Sequence, residues 1–168
     1  MAELLLEAHG VTVRFGGLVA VDQVDASFHA GELVGIIGPN GAGKTTFFNA
    51  ISGVIAPTSG RLVAQGHDLT GSKPHAYAHH GIARTFQTPR VFPELPVAAN
   101  IDFGLKFAGR HRTASWLLKD AGSILNVIGL SAQAALPAAA ITPSQQRLLE
   151  IGMALATRPR LLLLDEVA

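Results

Sequence analysis

The sequence predicts an α/β fold in which an N-terminal antiparallel β segment precedes a core of buried strands, with a helical subdomain inserted into that core. Two apolar runs, residues 33–37 and 161–164, have the pattern of strands that are buried on both faces. The first run leads directly into a glycine-rich loop and a helix candidate at residues 44–52. Because the chain between the two runs is mostly helical in pattern, we expect an α/β core interrupted by helices.

Apart from that helix, the first part of the chain is predicted to form strands. Residues 24–29 alternate apolar and polar side chains, which is typical of a strand with one buried face. Gly10 separates two further strand segments, and residues 57–60 have the composition of a turn. The strand segments expected here are residues 4–6, 11–13, 24–29, 33–37 and 61–64.

The second part of the chain is predicted to be mainly helical. Apolar residues recur near helical spacing in residues 144–156, and prolines mark a loop at residues 88–96. The expected helices are residues 74–80, 97–108, 115–128 and 144–156, and the expected strands are residues 82–85 and 161–165.

Composition narrows the class of protein. A chain of 168 residues suggests one domain, and 13 Lys and Arg against 12 Asp and Glu give a net charge of +1, which argues against a nucleic-acid partner held by bulk charge. There are 0 cysteines, which excludes disulfides and thiolate metal sites and fits a reducing cytoplasm. No apolar run approaches the roughly 18 residues of a membrane-spanning helix. We therefore expect any membrane contact to go through another protein.

The glycine-rich loop matches the phosphate-binding pattern G-x-x-x-x-G-K-[ST]. It runs Gly38-Pro39-Asn40-Gly41-Ala42-Gly43-Lys44-Thr45-Thr46. Glycines let successive backbone N–H groups surround an anion, and the next helix directs its N-terminus at the same place. We expect Lys44 on the β- and γ-phosphates, Thr45 on Mg²⁺ and Thr46 on a phosphate oxygen. The loop predicts a nucleoside triphosphate with magnesium, the alternative being a glycine-rich turn that binds nothing.

A second candidate site lies at the end of the last apolar run, where Asp165 and Glu166 follow four leucines. A buried strand would deliver Asp165 next to the phosphates, where its carboxylate can hold the metal through water. Glu166 can then orient and deprotonate the attacking water. The alternative is a core strand followed by two ordinary solvated acids.

Together these segments resemble the ATP-binding subunit of ABC transporters. The resemblance covers nearly the whole chain, and its motifs are residues 38–46, Arg84-Thr85-Phe86-Gln87, Val91-Phe92-Pro93-Glu94-Leu95 and the L-L-L-L-D-E strand. The segments similar to the branched-chain amino-acid importer branch are Arg14-Phe15-Gly16-Gly17-Leu18, Arg84-Thr85-Phe86-Gln87 and Gln145-Gln146-Arg147-Leu148-Leu149-Glu150-Ile151. The resemblance implies a subunit that binds ATP and Mg²⁺ and couples ATP binding and hydrolysis to transport.

The resemblance also implies roles for single residues. Phe15 corresponds to an aromatic ring that stacks on adenine, the alternative being an ordinary core residue. Gln87 corresponds to a glutamine that reaches Mg²⁺ and the attacking water, and Ser144 lies in the segment that caps ATP held by a second subunit. The region from Val91 to Ile101 would contact the membrane subunit, the alternative being a proline-rich surface loop.

The partners implied are a second ATP-binding subunit, in a homodimer or heterodimer, and transmembrane permease subunits, with no nucleic acid. The chain would then lie at the cytoplasmic face of the cell membrane, held there by the permease. A single domain is implied, with a core at residues 1–87 and 157–168 and a helical segment at residues 88–156. Two alternatives are a non-transport or inactive ATP-binding module, which would not dock a membrane subunit, and a small-molecule P-loop kinase, which the Asp165-Glu166 pair disfavours.

The chain departs from the family pattern at Ser144, at its end and, as a lesser change, at Val167, which replaces the proline expected after Asp165-Glu166. Ser144 stands where the signature segment has glycine, so we expect its side chain to crowd the phosphate approach and to strain the backbone if that position needs a positive φ. Pro143 beside it suits the first turn of a helix. The sequence ends two residues after Glu166, so the resemblance predicts an incomplete domain and makes hydrolysis an open question.

Overall fold

The computed structural model describes residues 2–107 and 118–165. The chain divides into two compact units, Met1–Ile82 and Ala83–Ala168. The strands and helices of the first unit are β1 (Leu4–Phe15), β2 (Leu18–His29), α1 (Lys44–Ile51), β3 (Ser59–Ala64), β4 (His67–Asp68) and α2 (Pro74–His79). Those that follow are β5 (Ile82–Arg84), which begins at the unit boundary, α3 (Val97–Lys106), α4 (Ala121–Val127), α5 (Pro143–Ala156) and β6 (Leu161–Leu163).

The first unit contains a four-stranded antiparallel sheet whose strands lie in the order β2-β1-β3-β4. Phe15 pairs with Leu18 across a two-residue turn, and Gly16 adopts a φ of +58°, as tight hairpins of this length require. β1 and β2 each run for 12 residues, well beyond the short segments expected from the sequence. The N-terminal antiparallel segment is thus confirmed.

β1 continues through Gly10 instead of breaking there. The pairing of β1 with β2 shifts register between Ala8 and Val11, and Gly10 adopts a φ of +54°. The Gly10 N–H donates to the Asp25 carboxylate at 2.7 Å. An irregularity with a glycine at positive φ bends a strand without ending it, which explains why the two predicted segments are one strand.

The apolar run at residues 33–37 is not a strand, and the prediction of a buried strand there is wrong. Leu33 is 100% exposed and Ile37 is 93% exposed. Within residues 2–107 and 118–165, neither sheet includes the run. Branched apolar side chains favour a strand only where a paired strand and covering side chains bury them, and the described strands supply neither. The run therefore leaves an exposed apolar stretch directly before the phosphate-loop pattern.

The two helices of the first unit lie close to their predicted bounds. α1 begins at Lys44, directly after the glycine-rich loop, and buries Phe47 and Ile51. α2 begins at Pro74, a residue suited to a first helical turn, and buries Tyr77. The Tyr77 hydroxyl donates to the Leu69 carbonyl at 3.0 Å, and burial raises the pKa of Tyr77 to about 12.

The second unit has a helical core in which α3, α4 and α5 pack around one apolar cluster. α3 and α5 approach so closely at Gly104 that an added Cβ would lie 2.6 Å from the Met153 carbonyl oxygen. β5 and β6 form a two-stranded sheet. The buried residues of the cluster are Val97, Ile101, Ile124, Leu125, Ile128, Leu130, Ala138, Ile141, Leu149 and Ala156.

α5 begins one residue earlier than predicted, because a capping box fixes its start. The Thr142 hydroxyl accepts the Gln145 N–H at 3.3 Å, and the Gln145 side chain accepts the Thr142 N–H at 2.9 Å. Pro143 occupies the first turn, as predicted. α4 begins at Ala121, and residues 115–117 of the longer helix predicted there lie outside the described residues.

Candidate functional site

The glycine-rich loop turns into α1 at Gly43. Gly43 is the N-cap of the helix and adopts a φ of +83°, in the left-handed region that favours glycine. A Cβ at this position would lie 2.1 Å from the Ala20 carbonyl oxygen, far inside van der Waals contact. The loop can therefore approach β2 and enter the helix only with glycine at this position.

Lys44 places its ammonium group over the same loop. Its Nζ donates to the carbonyl oxygens of Gly38 at 2.6 Å and Pro39 at 2.8 Å. Among the described residues, no carboxylate forms an ion pair with Lys44. The ammonium charge is thus held at the loop by neutral carbonyls and is not neutralised, which suits an incoming anion.

The two threonines that follow belong to the first turn of α1. Thr45 is exposed and Thr46 is half-buried. The first N–H groups of a helix lack partners within it and carry partial positive charge, so this turn adds to the attraction for phosphate. All nine residues of the loop pattern, 38–46, are thus gathered at one helix N-terminus, as the sequence predicted.

Phe15 lies at the tip of the β1–β2 hairpin and is 51% exposed. The alternative of a core residue is therefore wrong. Its neighbour across the turn, Leu18, is also exposed. About half of the Phe15 side chain is therefore accessible for stacking against a planar ring.

In the second unit, Gln87 lies three residues after the end of β5 and is exposed. Its backbone is tied to α5, because the Arg147 guanidinium donates to the Gln87 carbonyl and to the Phe86 carbonyl at 3.3 Å. Guanidinium groups from Arg84 and Arg90 lie 4.9 and 4.0 Å from the Phe86 ring centroid, within cation–π distance. The segment that carries Gln87 is thus hydrogen-bonded to α5 through Arg147, and Arg84 and Arg90 pack against its Phe86 ring.

Asp165 follows β6, and its backbone is bonded to the end of β5. The Thr85 N–H donates to the Leu163 carbonyl at 2.9 Å, and the Asp165 N–H donates to the Thr85 hydroxyl at 3.1 Å. The Asp165 carboxylate lies 3.6 Å from the Arg84 guanidinium, with side chains only 13% and 12% exposed. Burial lowers the pKa of Arg84, and the charge of Asp165 opposes that shift. Glu166 lies outside the described residues.

In the first unit, Thr45 offers a hydroxyl oxygen, and in the second unit Gln87 and Asp165 offer an amide and a carboxylate oxygen. Hard oxygen ligands of these kinds suit Mg²⁺, which is usually bound by one or two protein side chains together with substrate phosphates. Within the described residues, no group of three or more His, Cys, Asp or Glu side chains is placed to hold a metal.

Ser144 does not strain the backbone. It lies in the first turn of α5, is exposed, and is absent from the described non-glycine residues with positive φ, which are Gln23, Gln65 and Arg158. The expectation of an unfavourable conformation at Ser144 is therefore corrected, because the position is helical and needs no glycine.

The proline-rich segment before α3 is fixed by Asn100, to which the sequence alone assigned no individual role within the region from Val91 to Ile101. Asn100 is fully buried, and its side-chain oxygen accepts the Phe92 N–H at 2.7 Å. Phe92 and Leu95 remain partly exposed in this segment, and Phe92 contacts Phe103 on α3. Asn100 therefore holds an apolar surface segment in place.

Close to that segment, the second unit contains a cavity of about 290 Å³. Its lining includes Phe103 of α3, Phe107 just after that helix, Arg84 at the end of β5, Arg90 in the following segment and Glu150 of α5. Glu150 belongs to the motif at residues 145–151, but the sequence alone assigned it no role of its own. The signal for such a role is its place within the apolar pattern of α5, three residues after Arg147 and so on the same helix face.

Comparison with known proteins agrees with these features. The sequence profile described as ABC transporter matches residues 21–168. BraF, a high-affinity branched-chain amino acid transport ATP-binding protein of Pseudomonas aeruginosa, is 36% identical, over 100% of this chain and 71% of its own length. LivG of Escherichia coli K12, described in the same words, is 37% identical with the same two coverages. FbpC of Streptomyces coelicolor, an Fe(3+) ions import ATP-binding protein, is 35% identical over 99% of this chain and 46% of its own.

Solved structures give the same result for the fold. A nucleotide-free ATP-binding cassette from an ABC transporter superposes with a TM-score of 0.79 at 31% identity, over 98% of this chain and 70% of that one. The ADP conformation of MJ1267, an ATP-binding cassette of an ABC transporter, has a TM-score of 0.78 at 33% identity, over 95% and 67%. The predicted α/β fold with a phosphate-binding loop is thus confirmed, and the chain belongs to the ABC transporter family.

Proposed function

We propose that this chain is the ATP-binding subunit of an ABC importer for branched-chain amino acids. The observation that carries the proposal is the loop of residues 38–46, which combines a helix N-terminus, a glycine in the left-handed region and an ammonium group that no described carboxylate neutralises. The names of BraF and LivG supply the class of substrate.

In this proposal the loop binds the phosphates of ATP. Lys44 leaves the carbonyls of Gly38 and Pro39 for the β- and γ-phosphate oxygens, because a phosphate anion is a stronger acceptor than a neutral carbonyl. Thr46 donates to a phosphate oxygen. Phe15 stacks on the adenine ring, which its exposed position at the hairpin tip permits.

The metal ligands are proposed to be Thr45 and Gln87 directly and Asp165 through water. When bound, Mg²⁺ neutralises charge on the β- and γ-phosphates. Arg84 partly neutralises Asp165 and keeps its carboxylate ordered at 3.6 Å. We propose Glu166 as the group that orients and deprotonates the attacking water.

A second ATP-binding subunit is the first proposed partner. α5 directs its N-terminus, with Ser144 in the first turn, toward ATP bound by that subunit. The Ser144 hydroxyl adds a donor for phosphate there, at the cost of space that a glycine would leave.

The permease is the second proposed partner, contacted through the region from Val91 to Ile101. The partly exposed side chains of Phe92 and Leu95 give this region an apolar surface that Asn100 holds in place. Within the described residues no helix combines the length and apolar character needed to cross a bilayer. We propose that contact with the permease holds the chain at the cytoplasmic face of the membrane.

Identity alone does not select the substrate, because FbpC is almost as similar as LivG. The test is uptake by the source organism after Lys44→Ala is introduced into the chromosomal gene. We expect saturable uptake of leucine, isoleucine and valine to fall while uptake of ferric iron stays unchanged. Loss of iron uptake with normal uptake of the three amino acids would contradict the proposed substrate, and no loss of either would contradict the role in import.

A further inference from the structure

Two side chains on one face of α5 form hydrogen bonds with the backbone of the segment after β5. Arg147 and Glu150 are three residues apart in the helix and are therefore neighbours on its surface. Glu150 Oε1 accepts the N–H groups of Phe86 and Arg90, both at 3.1 Å. The Arg147 guanidinium donates to the carbonyls of Phe86 and Gln87. We name Arg147 and Glu150 the α5 clamp.

The same arginine also reaches the end of β6. Arg147 Nη2 donates to the Asp165 carbonyl at 3.2 Å. One planar guanidinium thus donates to the backbone carbonyls of both Gln87 and Asp165. These are the two residues of the second unit whose side chains are proposed to bind Mg²⁺. A guanidinium has its donors in a fixed plane, so it sets the spacing of the groups it bonds more tightly than a lysine would.

Glu150 is a costly residue in its position. It is only 5% exposed, and its Oε2 has no hydrogen-bond partner among the described residues. Burial of this carboxylate carries a desolvation cost, which its two N–H bonds and the nearby charge of Arg84 offset. The backbone N–H groups that it holds flank Gln87, so Glu150 fixes the backbone around that residue.

We infer that the α5 clamp positions Gln87 relative to Asp165, so that the metal affinity of the nucleotide site depends on Arg147 and Glu150. This inference rests on the proposed metal roles of Gln87 and Asp165. Arg147 and Glu150 touch neither ATP nor metal in this scheme and are positioning residues.

The test compares ATP affinity in the presence of Mg²⁺ and in EDTA, by titration calorimetry on the full chain. The variants are Arg147→Met, which removes the guanidinium, and Glu150→Leu, which removes the acceptor, with Glu150→Gln as the conservative variant that keeps an acceptor oxygen. Gln146→Ala is the matched control, since Gln146 lies on the same helix but donates to the Ala138 carbonyl at 2.9 Å. Circular dichroism establishes that each variant is folded.

We expect the Mg²⁺-dependent gain in ATP affinity to fall about tenfold in Arg147→Met and Glu150→Leu, the lower end of the loss seen for residues that support metal ligands. Affinity in EDTA should stay unchanged, and Glu150→Gln and Gln146→Ala should resemble the wild type. An unchanged gain in the two loss variants, or an equal fall in EDTA, would overturn the inference. If Glu150→Leu does not fold, the result for Arg147→Met decides.

Hydrogen exchange separates this inference from the function on which it rests. The amides of Phe86 and Arg90 should exchange faster in Glu150→Leu and keep their protection in Glu150→Gln. If wild-type ATP binding shows no Mg²⁺ dependence, the proposed metal roles fail, and the positioning role falls with them even if the exchange pattern is as expected. If Mg²⁺ dependence is present but exchange at Phe86 and Arg90 is unaffected by Glu150→Leu, the clamp alone is refuted.

Discussion

Replacing Asn100 with leucine removes the side chain that fastens the segment before α3. The Asn100 side-chain oxygen accepts the Phe92 N–H at 2.7 Å. Its amide nitrogen lies within hydrogen-bond distance of three carbonyl oxygens, those of Phe92 at 3.1 Å, Leu95 at 3.3 Å and Pro96 at 3.1 Å. Because the residue is fully buried, water cannot simply replace these bonds.

The size of the stability loss in Asn100→Leu depends on which buried polar groups lose their only hydrogen-bond partner. The three carbonyl oxygens keep other donors, namely the N–H groups of Leu95 at 3.2 Å, Ala138 at 3.0 Å and Asn100 itself at 3.1 Å. Among the described residues, the Phe92 N–H has no second acceptor. One unsatisfied buried donor costs about 1–3 kcal/mol, and leucine is larger than asparagine, so overpacking of this buried position adds about 1–3 kcal/mol more. We therefore expect the free energy of unfolding to fall by at least about 2 kcal/mol.

The assay is urea denaturation followed by circular dichroism, which gives the free energy of unfolding. Asn126→Leu is the matched control, because Asn126 lies on the exposed face of α4 and its replacement should change that free energy by less than about 0.5 kcal/mol. The m-value should stay constant in both variants. An Asn100→Leu chain as stable as the wild type would refute the assignment of Asn100 as the fastening residue.

Two further substitutions test the packing of α3 and the start of α5. Gly104→Ala should lower the free energy of unfolding by about 1–3 kcal/mol, because the clash of a Cβ 2.6 Å from the Met153 carbonyl oxygen outweighs the gain in helix propensity of about 1 kcal/mol. A more stable variant in urea denaturation would show that α3 and α5 can separate freely. Ser144→Gly should lower the free energy of unfolding by about 0.5 kcal/mol, because Ser144 is helical and its φ is not positive. A higher melting temperature of this variant in calorimetry would show that Ser144 is strained.

The features that could be predicted from the sequence are those that local patterns determine. The loop of residues 38–46 and the start of α1 follow from glycines, a lysine and hydroxyls within nine positions. α5 was predicted to within one residue, because its apolar spacing and its capping residues are adjacent in the chain. Phe15 required a choice between two environments, and only the hairpin showed that the ring is exposed.

The features that could not be predicted depend on residues far apart in the chain. Residues 33–37 have the composition of a buried strand, but burial requires neighbouring strands that a local pattern does not contain. The bond from Glu150 to the Phe86 N–H joins residues 64 positions apart, and the one from Arg147 to the Phe86 carbonyl joins residues 61 positions apart. Such pairings become visible only when the helix and the strand end are placed together.

The binding of ATP through residues 38–46 is the central claim, and calorimetric titration of the chain with ATP and Mg²⁺ tests it most directly. The account predicts that Lys44→Ala abolishes binding or weakens it at least about tenfold, which corresponds to about 1.4 kcal/mol. Lys73→Ala serves as the control, because it removes an exposed lysine at the start of α2 and should leave the affinity unchanged. Equal ATP affinity in the wild type and in Lys44→Ala would contradict the claim.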